Sequence, residues 1–270
     1  MSVPYKIDIT GISDDFLTPE ANRLIAAAEK LVPNLLERAQ AAETAGKVPD
    51  ETIKEMITAG LFRVLQPKRW GGYELDPRVF YIIQMTLAQG CMSTAWIYGV
   101  IGVHNWQIGL FDERAQIEVL AENPEILIAS TYMPGSKELE HRTFLLPKSD
   151  FKVVKNWDVL GLRASGSHDI VVEGAFVPEY RTHQTNDYSD AACKGRAIND
   201  NWLYRIPFVQ IFQRAVSTAC IGALDGAVTE FRHRCAEHVG KHGGKTAEDV
   251  NAQMAVTEAI MTSDQLKLVL

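Results

Sequence analysis

The chain has 270 residues, 46% of them hydrophobic, enough to bury a sizeable core as one large domain or as two or three lobes. Its net charge is -7 and its Lys and Arg residues are scattered, which excludes the concentrated basic footprint of a nucleic-acid binder. The N-terminal stretch carries acids where a secretory signal needs a basic start, and no segment approaches the ~20 apolar residues of a membrane span, so a cytoplasmic protein with no membrane contact is expected.

In chain order, the first element is a long amphipathic helix over Thr18 to Ala45. Leu24, Ala28, Leu31, Leu35 and Ala39 recur at helical spacing, and Thr18-Pro19-Glu20 supplies a cap with proline in the first turn. A second helix starts at Pro49-Asp50-Glu51 and stops near Gly60. Gln66 to Gly72 is dense in turn formers, a third helix runs from about Pro77 to Ala88, a fourth from the Ser93 cap to Phe111, and a fifth from Glu113 to Ala121.

After Pro124 the texture changes. Ile126 to Tyr132, Thr143 to Leu146, Phe151 to Lys155 and Asp169 to Val177 are short, β-branched or alternating segments separated by turn residues, as in antiparallel strands. Helical periodicity returns from about Ile206 to Val239 and again from about Ala247 to the end. The expected division is a helical domain at 1–123, a β domain at 124–200 and a second helical domain at 201–270. Strands grouped between helices argue against a doubly wound sheet, and neither a GxGxxG nor a GxxxxGK loop is present, which disfavours Rossmann and P-loop enzymes.

Candidate site residues come from several places. In the fourth helix Ile97, Ile101, His104, Ile108 and Phe111 fall at steps of four and three, so His104 is expected on a buried stripe, as a pocket base or as a core histidine satisfied by a backbone carbonyl. His233, Cys235, His238 and His242 have spacing a metal could use, but the set lacks a paired carboxylate or complete ligand count and no metal site is assigned. Gly161-Leu162-Arg163-Ala164-Ser165-Gly166-Ser167 offers an Arg, hydroxyls and glycine-permitted N–H groups, suited either to a polar ligand edge or to a plain strand connection. Trp96 and Trp157 are faces on which a planar cofactor could stack, or simply large core or rim residues. The cysteines Cys91, Cys193, Cys220 and Cys235 are widely spaced and read as free thiols.

Several stretches carry a family resemblance: Val48-Pro49-Asp50-Glu51, Gln66 to Gly72, Ser93-Thr94-Ala95-Trp96, Val103-His104-Asn105-Trp106, Ala129-Ser130-Thr131-Tyr132, Phe144 to Asp150 and, most specific, Asn156-Trp157-Asp158-Val159-Leu160-Gly161-Leu162-Arg163 continuing to Phe176-Val177-Pro178. Together they are similar to the flavin-dependent aromatic hydroxylase branch of the acyl-CoA dehydrogenase superfamily, which includes the oxygenase components acting on p-hydroxyphenylacetate and on phenolic secosteroids. The resemblance implies a mainly α fold with a small antiparallel β lobe, in which part of the family's β lobe and its C-terminal helices are missing. It also implies a homotetramer, and an oxygenase using reduced FAD or FMN from a separate flavin reductase together with O2. A C4a-hydroperoxyflavin would then hydroxylate a small aromatic substrate. By position, the resemblance makes His104 the contact to the phenolic oxygen, Ser130 a residue near flavin and substrate, Trp96 an aromatic beside the isoalloxazine and Tyr132 a residue of the same flavin-facing strand. An acyl-CoA dehydrogenase-like oxidoreductase and a non-catalytic interaction protein of the same fold are the alternatives. The Trp96 and His104-Asn105-Trp106 pattern favours the hydroxylases over the former.

Overall fold

The computed structural model describes residues 5–121, 126–132, 141–184, 193–239 and 245–269; within 126–132 it describes the backbone and the side chain of Ile128. Helix α1, Pro19–Ala45, begins where Thr18 Oγ1 accepts the Ala21 N–H at 3.1 Å, and ends at Gly46, whose φ of 65° closes the last turn. It buries Leu24, Ala28, Val32 and Leu35. Helix α2, Asp50–Thr58, is short. Helix α3, Pro77–Gly90, is capped by Asp76 and buried along nearly its whole length, because α1, α4 (Met92–Ile108) and α6 (Phe208–Glu237) pack around it.

That packing requires particular residues. The buried amide of Gln84 on α3 donates to the carbonyls of Ala95 on α4 (3.1 Å) and Ala215 on α6 (2.7 Å), holding three helices at one point. Gly222 lets α6 cross α3 at backbone contact: a Cβ there would fall 2.2 Å from the Met85 carbonyl oxygen. One continuous apolar core joins α1, α3, α4 and α6 and takes in Phe80, Tyr98, Trp106 and Tyr204. Helix α7, Val250–Leu268, docks on α6 through the buried Lys267, 2.9 Å from Asp225, whose other oxygen receives the Ser263 hydroxyl at 2.5 Å.

Helix α5, Glu113–Gln116, runs into a π turn at Ile117–Ala121 and leads to the strands. β1 (Ile126–Tyr132), β2 (His141–Pro147) and β5 (Thr182–Gln184) form one antiparallel sheet in that order, and β3 (Phe151–Val154) pairs with β4 (Asp169–Val172) as a separate hairpin. Ser130 stands opposite Thr143, and Thr143 opposite His183, so one register row crosses all three strands of the first sheet.

The mainly helical architecture with a small antiparallel β part is as expected, and several local expectations are corrected. The strand expected over Asp169 to Val177 ends at Val172, since Gly174 turns with φ 66°. β5 was not anticipated; three residues are too few to show a period of two. Ile101, expected on the buried stripe of α4, is exposed at 45%. That helix is apolar around most of its circumference, so residue spacing cannot select the inward face, which is formed instead by Tyr98, Gly102, Val103 and Trp106.

Candidate active site

The last turns of α4 place an imidazole and an amide on one face. Nδ1 of His104 lies 2.8 Å from Oε1 of Gln107, three residues on, the spacing at which helical side chains meet. Gln107 is fully buried, and its Nε2 reaches Thr143 Oγ1 on β2 (3.3 Å) and Nε2 of His183 on β5 (3.1 Å). His183, also buried, has its Nδ1 2.9 Å from the backbone oxygen of Gln184, and its ring meets Phe111 edge-on, centroids 4.5 Å apart. Helix and sheet are therefore joined by one hydrogen-bonded row. His104 is its partly exposed end.

On its other side His104 faces α6. Its ring lies 6.5 Å from Phe208 at an interplanar angle of 20° and 6.1 Å from Phe212 at 38°, and the two phenylalanines stack on each other at 5.2 Å. Trp106 extends the wall, 6.2 Å from Phe208, and is fixed by its indole N–H donating to the Leu203 carbonyl at 3.1 Å. Near-parallel aromatic rings beside one polar group suit a planar, largely apolar ligand with a single polar substituent.

Burial holds the His104 pKa below the ordinary imidazole value, the bond to Gln107 opposing it. Burial also pushes His183 down to about 4, with Arg142, Arg196 and His141 contributing repulsion. Both rings are neutral at pH 7. A neutral imidazole can accept a proton, and His104 Nε2 has no hydrogen-bond partner among the described residues.

Trp96 lies two turns before His104 on α4, about 12 Å along the helix axis, and is partly buried. Ser130 and Tyr132 are placed only as strand positions, opposite Thr143 and His141; their side chains lie outside the described residues. The Gly161–Ser167 loop folds against the N-terminal part of the molecule: the Val48 N–H donates to the Ala164 carbonyl at 3.0 Å, and Ala164 packs with Ala42, Val48 and Ile97. Within it Leu162 adopts φ 53°, a left-handed conformation costing a non-glycine residue roughly 1 kcal/mol, and its carbonyl accepts the Trp157 indole N–H at 3.0 Å. His233 and His238 are exposed, His238 lies beyond the end of α6 with Nδ1 2.7 Å from Thr246 Oγ1, and His242 lies outside the described residues. No group of three potential metal ligands comes together among the described residues.

Gln107, Thr143, His183, Phe208 and Phe212 were not singled out from the sequence. Gln107 carried a usable signal, its spacing from His104. His183 carried none.

Residues 18–118 match the family model described as acyl-CoA dehydrogenase, N-terminal domain. The chain is 32% identical to the flavin-dependent monooxygenase oxygenase subunit HsaA of Mycobacterium tuberculosis, over 91% of the chain and 72% of that protein. It belongs to the flavin-dependent monooxygenase oxygenase subunits of the acyl-CoA dehydrogenase superfamily. A second monooxygenase-family relative, a pigment production hydroxylase of a Rhodococcus species, is 32% identical over 92% of the chain and 74% of its own length. Among solved structures, 3-HSA hydroxylase from Rhodococcus sp. RHA1 superposes with a TM-score of 0.82 at 28% identity, covering 90% of this chain and 72% of that one. The monooxygenase fold is thus shared across both the helical and the β parts. Among the described residues no helix is long and apolar enough to cross a membrane.

Proposed function

We propose that the chain is the oxygenase component of a two-component monooxygenase that hydroxylates a phenolic substrate in the cytoplasm, with reduced FAD or FMN delivered by a separate flavin reductase and O2 as co-substrate. The observation that carries this reading is a neutral imidazole, His104, set beside the Phe208–Phe212 aromatic wall in a chain related to oxygenase subunits.

The residues suit a planar redox cofactor in the chemistry they offer: the partly open indole of Trp96, and the strand bearing Ser130 and Tyr132, which is in register with the row that Gln107 grips. When bound, reduced flavin supplies the activation of dioxygen. This chain's own side chains have two tasks. The Phe208 and Phe212 wall, backed by the buried Trp106, excludes water and orients a phenol ring. His104 Nε2 accepts the phenol proton: the O–H bond breaks, an N–H bond forms, and the ring becomes a phenolate whose ortho carbon is richer in electrons. Ser130 is proposed to contact flavin or substrate, with Trp96 and Tyr132 beside the cofactor. Assembly as a homotetramer is supported by the exposed apolar side chains of α7, such as Val250, Met254 and Met261.

The test is anaerobic titration of the protein with photoreduced FMN and FADH2, followed by oxygenated buffer containing a panel of phenols. Binding of a reduced flavin and oxygen-dependent formation of a catechol are expected. Failure to bind either reduced flavin would refute the reading.

A further inference from the structure

The proton on His104 is placed by groups two side chains away. His183 Nδ1 lies 2.9 Å from the Gln184 carbonyl oxygen, which can only accept, so Nδ1 carries the hydrogen and the neutral ring keeps its lone pair on Nε2. That lone pair stands 3.1 Å from one end of the Gln107 side chain. It can meet the amide NH2 but not the amide oxygen. The second amide hydrogen is accepted by Thr143 Oγ1 at 3.3 Å; that hydroxyl can donate as well as accept, so it is His183 that fixes the orientation. Oε1 must then face His104 Nδ1 at 2.8 Å, and since Oε1 accepts, Nδ1 carries the His104 hydrogen.

We infer that the Gln184 carbonyl, acting through His183 and Gln107, selects the His104 tautomer whose Nε2 bears the lone pair, making Gln107 and His183 positioning residues for the proposed base. The purpose of that base rests on the function proposed above; the tautomer does not. Free histidine favours the opposite tautomer, so without the row Nε2 would mostly carry a hydrogen and could not take a proton. The row lies in the interior, where turning the amide would leave buried groups mismatched, a penalty that biases the equilibrium tenfold or more. When Nε2 takes up a proton, Nδ1–H remains donated to Gln107, so the row also orients the charged form.

The experiment is 15N NMR of the protein carrying labelled histidine, with His104 assigned by its loss in His104→Ala. The expected spectrum has a protonated Nδ1 and an unprotonated Nε2 for both His104 and His183. Gln107→Leu, which removes the acceptor, is expected to return His104 mainly to the Nε2–H tautomer and to lower the kcat of hydroxylation about tenfold or more with little change in the KM for the phenol. Gln107→Glu keeps an oxygen facing His104 and is expected to keep its Nδ1–H, a rescue that a merely space-filling role would not give. A wild-type His104 protonated on Nε2 overturns the inference, as does a folded Gln107→Leu protein with an unchanged tautomer. Should that variant fail to fold, the wild-type and Gln107→Glu spectra decide alone. A wild-type protein with the expected tautomer that hydroxylates no phenol contradicts the proposed function and leaves this inference standing.

Discussion

Nδ1 of His104 lies 2.8 Å from Oε1 of Gln107, one helical turn further along α4, while the same imidazole faces Phe208 and Phe212 of α6. One side of the ring is thus anchored to the protein interior and the other borders an aromatic wall. In the proposed reaction, a proton acceptor held in this way would take the phenol proton without itself having to reorganise.

Replacing His104 by Ala removes the acceptor and leaves the α4 backbone intact. Hydroxylation is expected to fall by about 10²-fold, the usual loss for an acid–base group, while oxygen continues to be consumed without product. The ratio of hydroxylated product to oxygen consumed measures this. An unchanged ratio would remove His104 from the proton transfer.

Acid stability should depend on His183. Its pKa is lowered from the ordinary 6.5 to about 4 in the folded protein, so between those values the unfolded chain binds more protons than the folded one. Stability contributed by the neutral ring is fully present above pH 6.5 and is lost as pH falls through 4, amounting to about 3 kcal/mol. His104, also lowered, acts in the same direction. Urea unfolding between pH 7 and pH 4 is expected to show this slope, and His183→Gln to flatten it. An equal slope in the variant would mean that His183 does not titrate as a buried group.

The α3–α6 crossing is sensitive to a single methyl group. In Gly222→Ala the added carbon would meet the Met85 carbonyl oxygen at 2.2 Å and its Cα at 2.5 Å, both backbone atoms that move only if the helices part. A loss of about 1–3 kcal/mol is expected from overpacking, read as a lower urea midpoint. An unchanged midpoint would contradict so close a crossing.

The helices were legible because spacing and proline mark them: Thr18-Pro19 opens α1 and Pro77 opens α3, as found, whereas α4 begins at Met92, ahead of the Ser93 cap that was expected. The face that α4 turns inward was not, since its apolar residues lie on every side and only contact with α3 and α6 decides between Ile101 and Tyr98. His104 could be picked out because its own helix carries it. Its partners could not: His183 lies 79 positions later in a three-residue strand, and Phe208 and Phe212 belong to the helix that folds back across α3. Such a row forms only when the β1–β2–β5 sheet meets α4, a consequence of tertiary packing that local pattern does not encode.

Oxygen transfer to a phenol is tested by turnover with a flavin reductase, a phenol panel and isotope-labelled dioxygen, analysed by mass spectrometry of the phenol. One labelled oxygen atom is expected in the ring ortho to the existing hydroxyl, and is expected to be lost in His104→Ala. Reduced flavin that binds and is reoxidised by labelled dioxygen with no label entering any phenol would contradict it.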